Sequence, residues 1–174
     1  MTVPNESRRH LPASIPVGVL ATVTMDAAMV IASRAAPGAF ASDKMSLEAI
    51  GRWAGGLGRG RRRHVDIAAA PKLRGELALG LATHYLTGIV LTEAYLALLR
   101  RSGLGPSPAK ATAYGLATSV LPLLVLYPSM GYGCCARRSD DAASLVRLML
   151  LGHTAFGAGI GLWAALLRGR ASAP

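Results

Sequence analysis

Apolar residues along this chain do not alternate with polar ones at the period of a strand or of an amphipathic helix; they run on in long blocks. Ile15 to Ser33 holds one ionisable side chain, Asp26; Leu77 to Leu99 holds His84 and Glu93; Ala111 to Ala136 holds none; Leu148 to Leu167 holds only His153. Such blocks have no polar face to offer water. Each is long enough to cross a bilayer, since a helix of about 20 residues rising about 1.5 Å per residue spans the roughly 30 Å hydrocarbon core. Open sheet edges cannot be satisfied in lipid, and nothing here alternates like a barrel wall. The pattern predicts an all-α integral membrane four-helix bundle, a single membrane domain over residues 1–174, with spans near 15–33, 77–99, 111–130 and 148–167.

Between spans 1 and 2, residues 34–76 form the only sizeable stretch outside lipid. Ser42 is placed to cap a short helix in which Met45, Ala49, Trp53 and Leu57 make an apolar side, while Lys44, Glu48 and Arg52 form a charged ladder at i, i+4 spacing. This predicts a short interfacial amphipathic helix lying along the membrane surface. Gly55, Gly56, Gly58 and Gly60 then break regularity, and Arg59, Arg61, Arg62 and Arg63 follow as a basic run expected to meet anionic lipid headgroups. Arg100 to Lys110, with Gly103, Gly105, Pro106 and Pro108, reads as a tight turn. Pro122 and Pro128 predict a kink or an early stop in the third span near Pro128.

Only 16% of the residues are charged and 52% are hydrophobic, whereas soluble domains carry about 25% charged residues. The net charge of +10 raises nucleic acid as a partner. Lys and Arg gather between the apolar blocks without interleaved aromatics, however, so the bilayer is the expected partner and nucleic acid is not. The first and third connections hold 12 of the 19 Lys and Arg, which orients the long basic loop toward the cytoplasm and both termini outward. Arg8-Arg9 ahead of the first block resembles a twin-arginine leader, but Asp26 inside that block and Arg34 behind it argue for retention. Cys134 and Cys135 are adjacent and imply no disulfide framework; they read as small polarizable residues near a helix end, with a soft-metal thiol pair as the alternative.

Ionisable groups inside a span are costly, about 2.5 to 3.5 kcal/mol for Asp at a helix centre, so they face the bundle interior. With alternating helix directions, Asp26, His84 and His153 approach the basic-loop face to a common depth, roughly 8 to 10 Å below it. His84 is flanked by Gly80 and Gly88, and His153 is followed by Gly157 and Gly161, stripes suited to close helix packing or a flat cofactor. Glu93 lies half a revolution from His84 and is expected to pair elsewhere, to snorkel or to be protonated, whereas His64 and Glu76 start near the cluster's interface and are candidates to reach it. Several roles fit these residues. They pin the bundle by hydrogen bonds, they form a proton-relay or transport site, they bind a metal ion through His84, His153 and Asp26, or the two histidines hold haem. The working expectation is a small transporter-like or proton-handling protein, with no motif requiring an enzyme. The alternatives are a metal- or haem-binding membrane enzyme and an accessory subunit of a membrane complex or homo-oligomer that presents Gly157 and Gly161 outward.

Taken in order, Met25-Asp26, Gly51-Arg52-Trp53, His64, Gly75-Glu76, Gly80, His84-Tyr85, Gly88, Pro128 with Gly131 and Gly133, and His153 with Phe156-Gly157 resemble the bacterial membrane family called domain of unknown function 2938, from about Gly18 to Trp163. The resemblance implies a four-span inner-membrane protein with recurring polar positions at Asp26, His64, Glu76, His84 and His153, and it implies no activity. Tyr127 stands where the family pattern often has Gln before the third-span proline, and the adjacent cysteines are not a family feature.

Overall fold

A computed structural model describes residues 14–40, 44–104 and 107–171. Arg8-Arg9 and Ser42 therefore lie outside the described residues. The first span is α1, Ser14–Ala35, followed by a single turn, α2, Pro37–Phe40. A short helix, α3, covers Leu47–Leu57, and the second span is α4, Glu76–Ser102. The third span begins as α5, Pro108–Thr118, passes through a π-helical turn at Pro122–Leu126 and ends as α6, Tyr127–Met130. After a 3-10 turn at Cys134–Ala136, the fourth span is α7, Ala142–Ala171. Four helical runs are long and apolar enough to cross a membrane, and no strand occurs among the described residues. In their most apolar windows only 17% to 44% of the residues are buried within the chain, so each span turns an apolar outer face, with side chains such as Ile31, Leu86, Val90 and Val125, to its surroundings.

The ends of these helices follow from local chemistry. Ser46 is the cap of α3: its hydroxyl accepts from the Ala49 N–H at 3.2 Å. Gly103 in the left-handed region ends α4, and Ser107 with Pro108 in the first turn restarts the chain as α5. Pro122 and Pro128 bring no N–H to the helical ladder. The span carries on past Pro122 through a widened turn, in which the Tyr127 N–H reaches the Pro122 carbonyl five residues back, and it stops at Met130, just after Pro128, as the second proline predicts. Gly131, at φ +103°, closes it.

In cross-section α1 lies between α4 and α7, and α5 packs on the other side of α7. Spans 2 and 3 barely touch, so the bundle needs closure between them. At the end holding the start of α1, Tyr114 Oη donates to the Leu91 carbonyl at 2.7 Å and stacks at 5.0 Å on Tyr95. One core fills that end, built from Val17, Ala21, Leu96, Leu99, Phe156 and Ile160. At the opposite, basic-loop end the gap is filled by α3 and the loop after it. There a second core gathers Ala49, Ile67, Tyr127, Met130, Leu145 and Met149, with Ile50 and Trp53 against it.

The amphipathic helix between spans 1 and 2 thus packs into the bundle as well as lying at its edge. Gly51 and Gly80 make this possible: a Cβ on Gly51 would overlap the Glu76 carbonyl, and one on Gly80 the Leu47 carbonyl. The i, i+4 charged ladder expected along α3 does not form. Lys44 pairs with Asp140 and Asp141 near the start of α7, and Arg52 pairs with Glu76 of α4. Tertiary partners displace the weak local ones because they also tie separate elements together.

Candidate functional site

The antiparallel seam between α1 and α4 advances one layer per helical turn. A Cβ on Gly18 would meet the backbone of Ile89, and one on Gly88 would meet the Thr22 hydroxyl and the Phe156 ring. The next layer is polar. Asp26 Oδ1 lies 2.9 Å from His84 Nε2, and Tyr85 Oη donates to Asp26 Oδ2 at 3.1 Å. One hydrogen lies between the Asp26 carboxyl oxygen and the His84 ring nitrogen. The Asp26 side chain is 39% exposed and that of His84 15%, which makes the carboxylate the open end of the pair and the imidazole the inner end.

His153 is held differently. It is 8% exposed, on α7, and its Nδ1 lies 2.8 Å from Thr118 Oγ1. Thr118 also donates to the Gly115 carbonyl at 2.6 Å, which uses its only proton. Nδ1 of His153 must therefore carry the hydrogen, and in the neutral ring the lone pair sits on Nε2. The α5–α7 crossing fixes this geometry, because Gly115 and Gly157 face each other so closely that a Cβ on either would strike the opposite backbone. His153 also lies within electrostatic range of His84. Along α7 it falls between Leu145 and Met149 of one core and Phe156 and Ile160 of the other; along span 3, Thr118 falls between Ala111 and Tyr127 in the same way. Asp26, His84, Tyr85, Thr118 and His153 form a polar layer in which His153 and Thr118 lie between the two apolar cores, while Asp26 is bordered by Met25 and Met29 of the first.

Several expected associations do not form. Asp26 and His84 bond each other and His153 bonds Thr118, with no bond joining His153 to the pair among the described residues. Among the described residues no group of three or more His, Cys, Asp and Glu is placed to hold a metal ion. Gly157 and Gly161 face Ala111, Gly115 and Pro108 of α5, so this stripe is spent inside the chain; neither an outward helix contact nor a flat haem face remains there. Neither Glu76 nor His64 joins the layer. Glu76 holds Arg52 through two bonds of 2.9 and 2.8 Å and accepts from the Leu73 N–H at 2.9 Å. The third Arg52 bond, 2.8 Å to the Ile67 carbonyl, locks the loop, and the Glu76 carboxylate raises the Arg52 pKa further above its ordinary value. The His64 N–H donates to the Ser129 carbonyl at 2.8 Å, fastening the same loop to the third span. Burial and the nearby Arg61 and Arg52 hold the His64 imidazole below its ordinary pKa. Glu93, outside the layer, pairs with Arg100 two turns further along α4.

Tyr85 and Thr118 were not singled out in the sequence. Tyr85 left a signal, a hydroxyl beside His84 inside a span that must find an acceptor. Thr118 left none, since its pairing with His153 depends on the α5–α7 register. Cys134 and Cys135 are free and exposed.

Fold and layer together define a class: an α-helical, four-span type of membrane chain with an Asp–His pair between two spans and a Thr-bonded histidine between two others. Within that class the chain belongs to the family described as protein of unknown function (DUF2938), whose model matches residues 15–167. No curated protein and no solved structure matches it.

Proposed function

We propose that this protein is a small transporter-like, proton-handling protein of the bacterial cytoplasmic membrane, with its basic loop in the cytoplasm. The observation that carries this reading is the 2.9 Å bond between Asp26 and His84 inside the apolar length of two spans. A proton on this pair has two seats, a carboxylate oxygen and an imidazole nitrogen, at transfer distance. Tyr85 fixes the second carboxylate oxygen, leaving Oδ1 to face the ring. His153, with Nδ1 tied to Thr118, offers its Nε2 lone pair as the next base inward. The excess of Lys and Arg on one side supports the orientation.

Reconstitution into vesicles loaded with a pH-sensitive dye tests this. An imposed pH gradient or potential should collapse faster with the protein than without it. Asp26→Asn and His84→Gln should each remove the extra flux, and Tyr85→Phe should slow it. Wild-type flux through Asp26→Asn would show that the pair only pins helices.

A further inference from the structure

The turn after α3 folds back on itself, the Arg61 N–H donating to the Gly56 carbonyl at 2.9 Å, and the chain then reaches the third span through His64. This leaves a hollow of about 180 Å3 between the end of α3 and the loop before α4. Its polar wall is Arg52, Arg59, Arg61 and His64, and no carboxylate lines it. Arg52 is neutralised by Glu76, but Arg59 and Arg61 have no acidic partner among the described residues. The Nε2 atom of His64 is buried and bonds no protein group. Gly56 makes room for that ring, since a Cβ there would lie 2.9 Å from Nε2. Ala70, Pro71 and Leu73 give the hollow an apolar lip, next to the start of the second span.

Two guanidiniums without an acidic partner on one wall of a hollow free of carboxylates suit a tetrahedral anion with several acceptor oxygens. A carboxylate ligand would use one guanidinium fork and leave the other unpaired, whereas a phosphate has oxygens for both; the His64 ring, which lines the hollow, reports on its occupancy. We propose that this hollow is a phosphate-binding site, taking a phosphate group carried either by a lipid headgroup or by a small soluble compound. The apolar lip accepts the first carbons of either carrier. The site is separate from the polar layer and does not depend on proton handling there.

The test uses the full chain in a phosphate-free detergent micelle, with the His64 ring signal followed by NMR and assigned by its loss in His64→Asn. Two probes are titrated separately, inorganic phosphate and dioctanoyl phosphatidylglycerol. The His64 signal should shift and saturate with at least one of them. A response to inorganic phosphate alone or to both assigns the site to the phosphate group itself, open to soluble carriers. A response to the lipid alone assigns it to headgroups. Arg61→Gln should weaken the binding by at least about tenfold, the loss expected for a charge-assisted bond, while its backbone bond to Gly56 keeps the turn folded. Arg62→Gln is the control, because Arg62 does not line the hollow and should leave affinity unchanged. No shift with either probe, or equal weakening by Arg61→Gln and Arg62→Gln, overturns the proposal, the second outcome exposing a diffuse basic surface instead of a built site.

Discussion

The two ends of the bundle close the same gap between spans 2 and 3 by different physics. At the end where α1 begins, closure is apolar, with Tyr114 set on Leu91 and Tyr95 and Ala111, Phe156 and Ile160 packed behind. At the basic-loop end, closure is by an inserted helix held through charge: Arg52 joins α3, α4 and the loop, and Lys44 joins the start of α3 to the start of α7. An apolar closure tolerates loss of any one contact by degrees. A charged one depends on a few groups, and at Arg52 and Glu76, where both side chains are buried, removal of one leaves the other unpaired. The polar layer lies where these two constructions meet.

The comparison is broken most directly at Arg52. Arg52→Ala strands Glu76 and the Ile67 carbonyl together, and the expected drop in melting temperature is on the order of 10 °C in detergent. Hydrogen exchange should speed up first in α3 and residues 61–75, with the Tyr114 region unchanged; equal acceleration at both ends would show that they do not close independently. Next in size is Gly157→Val, which forces side-chain atoms into the Ala111 carbonyl and should cost about 1–3 kcal/mol. Gly38→Ala is its control, because nothing lies within 4 Å of the added Cβ. Smaller still is a matched pair of tyrosines. Tyr114→Phe loses a 2.7 Å bond that closes the far end and should cost about 1 kcal/mol, whereas Tyr127→Phe loses one of 3.3 Å and should cost less. A reversed order would place the more demanding closure at the basic end.

These particulars also show what was legible in the sequence. The spans were, because lipid demands long apolar runs and the few charges inside them stand out by position alone. Asp26 and His84 were legible as partners because depth in a span can be counted from its end. For His153 the pattern gives depth and not azimuth: the α5–α7 crossing, where Gly115 meets Gly157, turns it toward Thr118, and no local pattern marks Gly115. The basic loop misled for a different reason. A helix with charges at i, i+4 carries its own local explanation for them, and only the approach of α3 to α4 at Gly51 and Gly80 gives Arg52 a better partner. The stop after Pro128 was legible, but the π-turn at Pro122 was not, because rewiring the ladder there costs less in lipid than abandoning it.

The smallest expected effect concerns pH and separates the ends without a substitution. Burial and the charges of Arg61 and Arg52 hold His64 below an imidazole's ordinary 6.5, so the folded loop binds this proton more weakly than the unfolded one. The stability His64 supports is therefore complete above about pH 6.5 and declines as the pH falls below it. Asp140 acts in the same direction but elsewhere. Lys44 holds its carboxyl below the usual 3.8, so its contribution is lost only in stronger acid. Between pH 7 and 5.5 the amides of His64 and Ile67, which bond Ser129 and Met130, should lose exchange protection after correction for intrinsic rates, while those around Tyr114 keep theirs. His64→Gln should abolish the change. If protection at Ile67 is flat across this window, the imidazole is not what the charged closure rests on at that point, and Arg52 with the backbone bonds to Ser129 and Met130 holds the loop without it.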